Sequence, residues 1–365
     1  MILQPCLGKR LVWRALIEAV MNKTSRFDLS VLLLLLGESP ALPQSVQAKA
    51  QNVPEIPFES VPGLLKLPPT LHLGEAVGVA TNSKGNIFVF TRSGETHLFE
   101  FQPNGTFVRE IGRGLYGFLF AHAVRIDPQD NIWVVDEGTN MVIKFDPRGR
   151  VMMLIGRRPE PSEAPSEASA QPAPYRFNRP TDVAWDAAGN IFISDGYGNS
   201  RVAKYNKDGE FIKSIGSRGT APAQFNTPHA IAVDSRGTVY VADRNNFRIQ
   251  VFDNDLNYKT MYDQVGAPWA ICISQGSHQY LYSSNSGSTN NEFVARFYTG
   301  EIYKMELDGT ILGRFGKSGK QLGEFGSVHE LDCRNPQEVL AGEITTWRVQ
   351  KLLLNSKAGS VKVAR

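Results

Sequence analysis

The chain has 365 residues, of which 42% are hydrophobic and 21% are charged, and its formal net charge is +3. This length suits one large domain or two ordinary ones, and the composition is typical of a soluble globular protein. The first fifty residues carry six Lys/Arg and three Asp/Glu, so the remainder has 33 residues of each sign. This neutral remainder argues against a nucleic-acid partner, which requires a basic surplus.

The first fifty residues have the organisation of a secretory leader. Met21 opens a stretch with Lys23 and Arg26, which is followed by the apolar run LSVLLLLL (29–36) and by AKA, ending at Ala50. A basic segment, a short apolar run and an A-x-A sequence are typical of a signal peptide. We therefore expect translation to start at Met21, cleavage near Ala50 and a secreted or periplasmic protein. An uncleaved membrane anchor is the alternative, but the apolar run is too short to span a bilayer.

Six copies of one pattern follow the leader. Each copy holds two or three short strands of alternating apolar residues, separated by Gly, Asn and Asp turns, and a further strand follows most copies. The copies begin at residues 77, 122, 181, 229, 269 and 329. This repetition predicts an all-β fold, namely a six-bladed β-propeller with four-stranded antiparallel blades around a central channel.

The repeats also set the predicted domain boundaries. We expect a leader at 1–50, an N-terminal segment at 51–73, the propeller at 74–355 and a tail at 356–365. The stretch at 157–177 is rich in Pro, Ser, Ala and Glu and is interpreted as a solvated loop. The last copy lacks a complete outer strand, and GLLKLPP (63–69) is one candidate for closing the ring.

The cysteines allow at most one disulfide in the mature chain. Cys6 lies in the leader, which leaves Cys272 and Cys333 as the only candidates. There is no CxxC pattern of the kind that binds metals.

Histidine recurs at the first residue of alternate copies, which we call the leading position. The six leading positions are Val77, His122, Thr181, His229, Trp269 and His329. A single histidine at the start of a strand is usually structural. The first strand of a propeller blade lines the channel, however, so three imidazoles from alternate blades converge on the axis. Three imidazoles with an open fourth position form a catalytic zinc arrangement.

The loops after the second strands lie at the same channel mouth as the histidines, because neighbouring strands are antiparallel. Asp136, Asp195, Asp243 and Glu343 begin four of these loops and are interpreted as turn caps.

Three other side chains in these loops are candidates for chemistry. Arg92 and Arg244 directly follow the capping position, and Tyr197 lies two residues beyond it. Two guanidinium groups beside a metal suit a carboxylate substrate. A tyrosine in that field is a candidate base with a lowered pKa. The alternative is that all three are rim residues that hold their loops.

Two segments carry a family resemblance: PTDVAWDAAGNIFISDGYGNSRV and FNTPHAIAVDSRGTVYVADRNNFRIQVF. They resemble NHL-repeat propellers and, within that group, the peptidyl-α-hydroxyglycine α-amidating lyases. The resemblance implies zinc on His122, His229 and His329, with Tyr197, Arg92 and Arg244 as the catalytic residues. It also implies a structural calcium ion on the carbonyls of Val79 and Val124 and the side chain of Glu330.

The resemblance implies a reaction as well as a site. A peptidyl-α-hydroxyglycine would be cleaved to a peptide amide and glyoxylate, so the partner is a small-molecule or peptide substrate with a carboxylate. We expect a monomer whose mature chain has no stable membrane span.

The chain departs from the family at several positions. Glu330 stands in place of an aspartate, Ser327 in place of a methionine near the zinc, and Gly198 in place of a disulfide cysteine. No monooxygenase domain accompanies the repeats to supply a hydroxyglycine. Another α-hydroxy-amide or a related carboxylate is therefore an open alternative for the substrate.

Two other classes of function compete with the lyase. One is a non-enzymatic NHL propeller that binds a peptide or protein on its face, which needs no histidine at alternate leading positions. The other is a metal-dependent propeller hydrolase, which usually holds its ion with carboxylate and Asn ligands. The histidine pattern favours the lyase.

Overall fold

The computed structural model describes residues 48–159, 172–287 and 300–354. The predicted leader up to residue 47, the middle of the predicted loop at 157–177 and the predicted tail at 356–365 lie outside these residues. The described residues belong to one compact unit. Among them, no helix has the length and apolar character that crossing a membrane requires.

The described residues form six four-stranded antiparallel sheets, which confirms the predicted six-bladed β-propeller. The first described strand is β1 (Phe58–Ser60). Blade 1 consists of β2 (Glu75–Thr81), β3 (Ile87–Arg92), β4 (His97–Phe101) and β5 (Phe107–Ile111). Blade 2 consists of β6 (Ala121–Ile126), β7 (Ile132–Asp136), β8 (Met141–Phe145) and β9 (Val151–Gly156). Blade 3 consists of β10 (Asp182–Trp185), β11 (Ile191–Asp195), β12 (Arg201–Tyr205) and β13 (Phe211–Ile215).

The remaining blades continue the same order. Blade 4 consists of β14 (Pro228–Val233), β15 (Val239–Asp243), β16 (Arg248–Phe252) and β17 (Tyr258–Tyr262), with the short 3₁₀ turn η1 (Arg244–Asn246) after β15. Blade 5 consists of β18 (Pro268–Ile273), β19 (Leu281–Asn285), β20 (Glu301–Met305) and β21 (Ile311–Phe315). A small parallel pair follows, formed by β22 (Lys317–Ser318) and β23 (Glu324–Phe325). Blade 6 contains β24 (Val328–Asn335), β25 (Glu338–Glu343) and β26 (Arg348–Leu354).

Burial within a blade falls from the inner strand to the outer strand. The inner strand β14 has the sequence PHAIAV and is buried at every residue except the last, whereas the outer strand β17 is half-buried only at its two ends and exposed between them. Strands that are covered on both faces read as nearly continuous apolar runs. This explains why each repeat opens on an apolar stretch, in which a histidine is conspicuous.

A tight Asp-x-x-Gly turn joins the first two strands in blade 4. The carboxylate Oδ1 of Asp234 accepts hydrogen bonds from the backbone N–H groups of Arg236 (2.9 Å) and Thr238 (2.8 Å). Gly237 has a φ of 84°, a left-handed conformation that favours glycine. Such turns fix the register of the inner hairpin and therefore the place of the leading residue at its far end.

The ring is closed by a strand from the start of the described chain. β1 pairs with β26, so that Phe58 lies opposite Leu354 and blade 6 combines residues from both ends of the propeller. The suggestion that residues 63–69 supply this strand is wrong. In that segment the Lys66 N–H donates instead to the Gly105 carbonyl of blade 1 at 2.9 Å. The predicted propeller start at residue 74 therefore omits the closing strand.

Arginine–carboxylate pairs with buried acids hold the loops at the channel mouth in three blades. In each pair an arginine Nε donates to the acid that ends the second strand: Arg201 to Asp195 (2.9 Å), Arg248 to Asp243 (2.8 Å) and Arg348 to Glu343 (2.7 Å). The same guanidinium groups donate to backbone carbonyls of the loop that enters the blade. Beyond the turn-capping role that the sequence predicts, these three acids therefore brace the entering loops.

One disulfide joins the two cysteines that the sequence left as candidates. Cys272 on β18 and Cys333 on β24 are bonded, with their Cα atoms 5.9 Å apart. The bond crosslinks the inner strands of blades 5 and 6, on which Trp269 and His329 also lie.

Candidate metal centre and active site

The inner strands of blades 2, 4 and 6 bring three histidines together on the channel axis. His122, His229 and His329 are buried, and their ring centroids lie 4.6 to 4.8 Å apart. One ligand atom from each residue lies within 4.8 Å of the other two. The three predicted ligands thus form a cluster that could hold a metal ion.

Each imidazole is oriented by the blade that follows it. The Nδ1 atoms donate to the backbone carbonyl of the next leading position: His122 to Thr181 (2.6 Å), His229 to Trp269 (2.7 Å) and His329 to Val77 (2.7 Å). Because a carbonyl oxygen can only accept, Nδ1 carries the proton and Nε2 carries a lone pair that can bind a metal ion or accept a hydrogen bond. Backbone contacts of this kind fix the tautomer and orientation of metal-binding histidines.

The protein also keeps these imidazoles neutral. Burial is the main cause that lowers the pKa of each histidine well below its usual value. The other imidazoles add to this effect for His122 and His229, and Arg92 or Arg244 adds to it for all three. The buried Nε2 of His329 has no hydrogen-bond partner among the described residues. A neutral, desolvated and unpartnered nitrogen is what a metal ligand requires, so the residues fit an ion with imidazole ligands.

Tyr197 lies directly against the histidines. Its phenol oxygen is 3.1 Å from His229 Nε2, 3.3 Å from His122 Nε2 and 3.3 Å from Arg244 Nη1. Burial raises the pKa of Tyr197 above its usual value, while Arg244 and Arg92 lower it. The protein groups alone therefore keep the phenol protonated, which differs from the lowered pKa that the sequence predicted.

The two predicted arginines both reach the site, but they are not equivalent. Arg92 donates to Glu75 at 2.7 Å and to the Ala121 carbonyl at 3.2 Å, and it stacks 4.0 Å from the Phe120 ring. Much of its charge is therefore already neutralised.

Arg244 has weaker polar partners and an aromatic support. It contacts the Tyr197 phenol and the Asn245 side chain, and it stacks 4.7 Å from the Trp269 ring. Arg244 thus retains more of its capacity to bind an incoming anion.

Sequence reasoning missed an ion pair in the same site. Glu137 is buried, with Oε2 4.0 Å from His122 Nε2 and 3.8 Å from Arg92 Nη1. Its Oε1 accepts from Arg179 Nε at 2.7 Å, and the Arg179 guanidinium lies 4.5 Å from the Tyr197 ring. Burial raises the pKa of Glu137, whereas Arg179 and Arg92 lower it.

A repeat position could have identified Glu137. The strand registers place Thr91, Asp136, Asp243, Asn285 and Glu343 at equivalent ends of their second strands. The residues that directly follow these five line one cavity: Arg92, Glu137, Arg244, Ser286 and Ile344. The positive charge of Arg92 and Arg244 distinguishes them in the sequence, whereas Glu137 is identified only when all copies of this position are compared.

The cavity opens onto an aromatic rim. Its volume is about 450 Å³, and its lining includes Tyr197, Arg244, Trp269 and His329. A neighbouring cavity of about 530 Å³ shares Arg92, Phe120 and Ile344 with it and also reaches Trp347. Phe120, Phe247 and Trp347 are 41%, 45% and 57% exposed, so three accessible aromatic residues border these cavities.

Two of the sequence departures have structural counterparts. A Cβ atom at Gly198 would lie 2.1 Å from Asn178 Cγ, so a cysteine could not replace this glycine without moving Asn178. Ser327 is buried, and its hydroxyl has no partner among the described residues.

Among the residues expected to hold calcium, Glu330 contacts an arginine side chain. The Glu330 carboxylate is paired with Arg125 at 2.5 Å and also accepts a hydrogen bond from the Val124 N–H. Val79 and Val124 are fully buried on β2 and β6. A calcium ion does not fit here, because the acidic ligand it would need is already bound to a guanidinium group.

Known proteins share sequence similarity with this chain. The NHL repeat model matches residues 177–205 and 225–252. A Caenorhabditis elegans protein named as a probable peptidyl-alpha-hydroxyglycine alpha-amidating lyase is 30% identical over 170 residues, which are 40% of this chain and 45% of that protein. Further relatives carry the same lyase name. A human protein named NHL repeat-containing protein 3 is 29% identical over 79% of this chain and 82% of its own length.

Solved structures support the fold. Virginiamycin B lyase from Staphylococcus aureus superimposes with a TM-score of 0.55, covering 82% of this chain and all of that chain at 12% identity. The chain matches less than half the length of the worm lyase. The chain is thus a six-bladed β-propeller that contains NHL repeats, and it is similar at about 30% identity to proteins named peptidyl-alpha-hydroxyglycine alpha-amidating lyases.

Proposed function

We propose that this protein is a zinc-dependent lyase that cleaves the C–N bond of a peptidyl-α-hydroxyglycine-like carbinolamide, releasing an amide and glyoxylate. One observation carries the proposal: three imidazole Nε2 atoms converge beside the phenol of Tyr197 and the guanidinium of Arg244. The lyase names of several relatives support it.

The arginines supply the binding site for the substrate carboxylate. Arg244 is the principal anchor, because its described polar partners are a phenol and an amide rather than a carboxylate. Arg92 lines the same cavity and assists while it remains bound to Glu75. A guanidinium group binds a carboxylate through two parallel hydrogen bonds, which orients the carbon atom to be cleaved.

Tyr197 is the group that moves the proton. In the reaction the α-hydroxyl loses its proton and becomes a carbonyl, the C–N bond breaks, and the amide nitrogen gains a proton. A protonated phenol can accept the first proton while it gives its own to the nitrogen, so a raised pKa suits this role. A positioned acid–base group of this kind contributes about a hundred- to ten-thousandfold to the rate.

His122, His229 and His329 would hold the zinc ion. Bound there, zinc would supply Lewis-acid stabilisation of a developing alkoxide. The protein contributes the neutral tautomers and the buried surroundings described above.

The remainder of the substrate would lie along the aromatic rim. Phe120 and Trp347 border the second cavity, which shares its wall with the charged pocket. Aromatic rings of this kind bury large areas of a ligand. We therefore expect an apolar residue next to the hydroxyglycine to bind better than a charged residue.

We also propose that the protein is exported, with cleavage near Ala50. The leader sequence and the Cys272–Cys333 disulfide support this, since disulfides are typical of oxidising compartments. Ala48 is buried, and the Ala50 N–H donates to the Gln264 carbonyl at 3.0 Å, so cleavage after Ala50 would remove these contacts. Sequencing the amino terminus of exported protein tests the site, and a full-length cytoplasmic chain would contradict export.

The decisive experiment measures glyoxylate release from a peptidyl-α-hydroxyglycine by purified protein. We expect release in proportion to bound zinc and none after the metal has been removed. If the protein binds one zinc ion per chain but releases no glyoxylate, the lyase proposal fails and other α-hydroxy acids and amides become the substrates to test. If it binds no metal at all, a binding propeller without catalysis is the better explanation.

A further inference from the structure

A single arginine lies at the centre of the channel, below the histidines. Arg125 is on β6, three residues after His122, and its side chain is 15% exposed. Its Nε and Nη2 donate to the two carboxylate oxygens of Asp182, at 2.9 and 2.6 Å. Nη2 also lies 2.5 Å from Glu330 Oε1. The guanidinium thus binds two acids on different blades.

The same side chain connects most of the ring. Arg125 belongs to blade 2, Asp182 to blade 3 and Glu330 to blade 6. Its Nη1 donates to the Leu331 carbonyl of blade 6 at 3.1 Å, and its Nη2 contacts the Ile271 carbonyl of blade 5 at 3.4 Å. The partner Asp182 in turn accepts from the Ile231 N–H of blade 4 at 3.0 Å. Five of the six inner strands therefore meet in one polar network.

The charges explain why a cation is needed at this point. The side chains of Asp182 and Glu330 are 1% and 3% exposed, so water cannot solvate their carboxylates. Burying unpaired carboxylates is strongly unfavourable, and buried acids are therefore paired with a cation or bound to a metal. Arg125 meets this requirement because its planar guanidinium group is always charged and has five N–H donors.

We propose that Arg125 is the built-in cation of this channel, standing where the family resemblance places calcium, and that the propeller axis is held together without a metal ion at this position. Calcium requires six to eight oxygen ligands at about 2.3–2.6 Å. Glu330, the acidic ligand expected for that ion, is engaged by the guanidinium. The guanidinium also binds the Ile271 and Leu331 carbonyls, which are not among the expected calcium ligands. The inference concerns stability and metal content, so it does not depend on the proposed lyase activity.

Equilibrium dialysis with radioactive calcium tests the first part. The purified protein, loaded with zinc and dialysed into calcium-free buffer, should bind no calcium at micromolar concentrations. Its melting temperature should not change when millimolar calcium chloride is added. One calcium ion bound per chain with a rise in melting temperature would overturn the proposal.

Substitution of the arginine tests the second part. Arg125→Met keeps the length of the side chain but leaves both acids without a cation, so the melting temperature should fall by roughly 5 °C or more. Calcium should then raise the melting temperature of this variant, because two buried acids are free to bind it. Arg109→Met is the matched control, since Arg109 pairs with Glu100 on the outer strands of blade 1. In that variant calcium should have no effect.

Arg125→Lys keeps the test decisive if Arg125→Met does not fold. Lysine retains the charge with fewer donors, so this variant should fold, melt below the parent protein and remain insensitive to calcium. A melting temperature within about 1 °C of the parent for either Arg125 variant would show that the guanidinium does not hold the blades together. If calcium raised the melting temperature of Arg125→Lys, a positive charge at this position would not be sufficient to take the place of the metal ion.

Discussion

The Nδ1 of His122 donates a hydrogen bond of 2.6 Å to the carbonyl of Thr181, the residue at the same repeat position in the next blade. His229 and His329 make the same contact with Trp269 and Val77. The six leading positions therefore alternate between a ligand and the carbonyl that orients it. A propeller with an even number of blades suits this arrangement. Every blade with a leading histidine is then followed by a blade without one, whose leading residue supplies the accepting carbonyl.

Removal of one histidine should sharply reduce metal binding. His329→Ala deletes one of three ligands and leaves two imidazoles, so we expect zinc content to fall from one ion per chain to well below half. Elemental analysis of the purified variant measures this. His278→Ala is the control, since His278 is exposed and lies outside the channel, and it should keep full occupancy. A His329→Ala protein with full zinc content would place the metal elsewhere.

The sequence predicted the ring and the site because both depend on repetition. A repeat position is read from several copies at once, so the sequence alone assigns His122, His229 and His329 to the axis. The same reasoning placed Tyr197 and Arg244 at the histidine end of the channel, where the structure brings them within hydrogen-bond distance of the site.

Features that occur once were not predicted. The closing strand β1 has three residues, which is too short to show an alternating pattern. Arg125 occupies a place in its strand where no other copy has an arginine, and Asp182 is 57 residues away. Such a partnership is set by the closure of the ring rather than by local sequence.

Glu137 lies at a repeated position, but its charge is opposite to that expected for a carboxylate-binding site, so the sequence did not indicate it as a site residue.

The neutral histidines make the metal-free protein sensitive to acid. Their pKa values are lowered on folding from the usual 6.5, so the unfolded chain binds more protons than the folded chain below that pH. Stability is therefore fully present above about pH 6.5 and is lost as the pH falls towards the folded-state values. Each histidine contributes a slope of about 1.4 kcal/mol per pH unit in that window.

Urea unfolding of metal-free protein at pH 6.5 and 5.5 measures this slope. His229→Gln removes one of the buried imidazoles, so the variant should take up about one proton fewer than the parent on unfolding. Its free energy of unfolding should therefore fall less steeply between the two pH values. His278→Gln should keep the parent slope. Equal slopes for His229→Gln and the parent would mean that His229 is not held neutral by the fold.

Loss of Arg244 should weaken substrate binding more than loss of Arg92. Arg244→Ala removes the arginine with the weakest internal partners, and a hydrogen bond to a charged group is typically worth about 1.5–3 kcal/mol, so KM should rise about ten- to a hundredfold. Arg92→Ala should have a smaller effect on KM, because Glu75 already neutralises that side chain. Initial rates over a range of substrate concentrations separate KM from kcat. An unchanged KM in Arg244→Ala would remove this residue from carboxylate binding.

Tyr197→Phe should separate chemistry from binding. The change removes one oxygen atom from a ring that is otherwise held by Arg179 and Arg244 on its faces, so folding and zinc content should be unchanged. Because the phenol would carry the proton from the hydroxyl to the amide nitrogen, kcat should fall about a hundred- to ten-thousandfold while KM changes little. Tyr116→Phe is the control, since that residue is exposed and lines neither cavity of the site. Glyoxylate release at saturating substrate gives kcat, and elemental analysis gives the zinc content. A Tyr197→Phe protein with the parent's kcat would exclude the phenol from the reaction, and the proton would then have to move through another group at the histidine end of the channel.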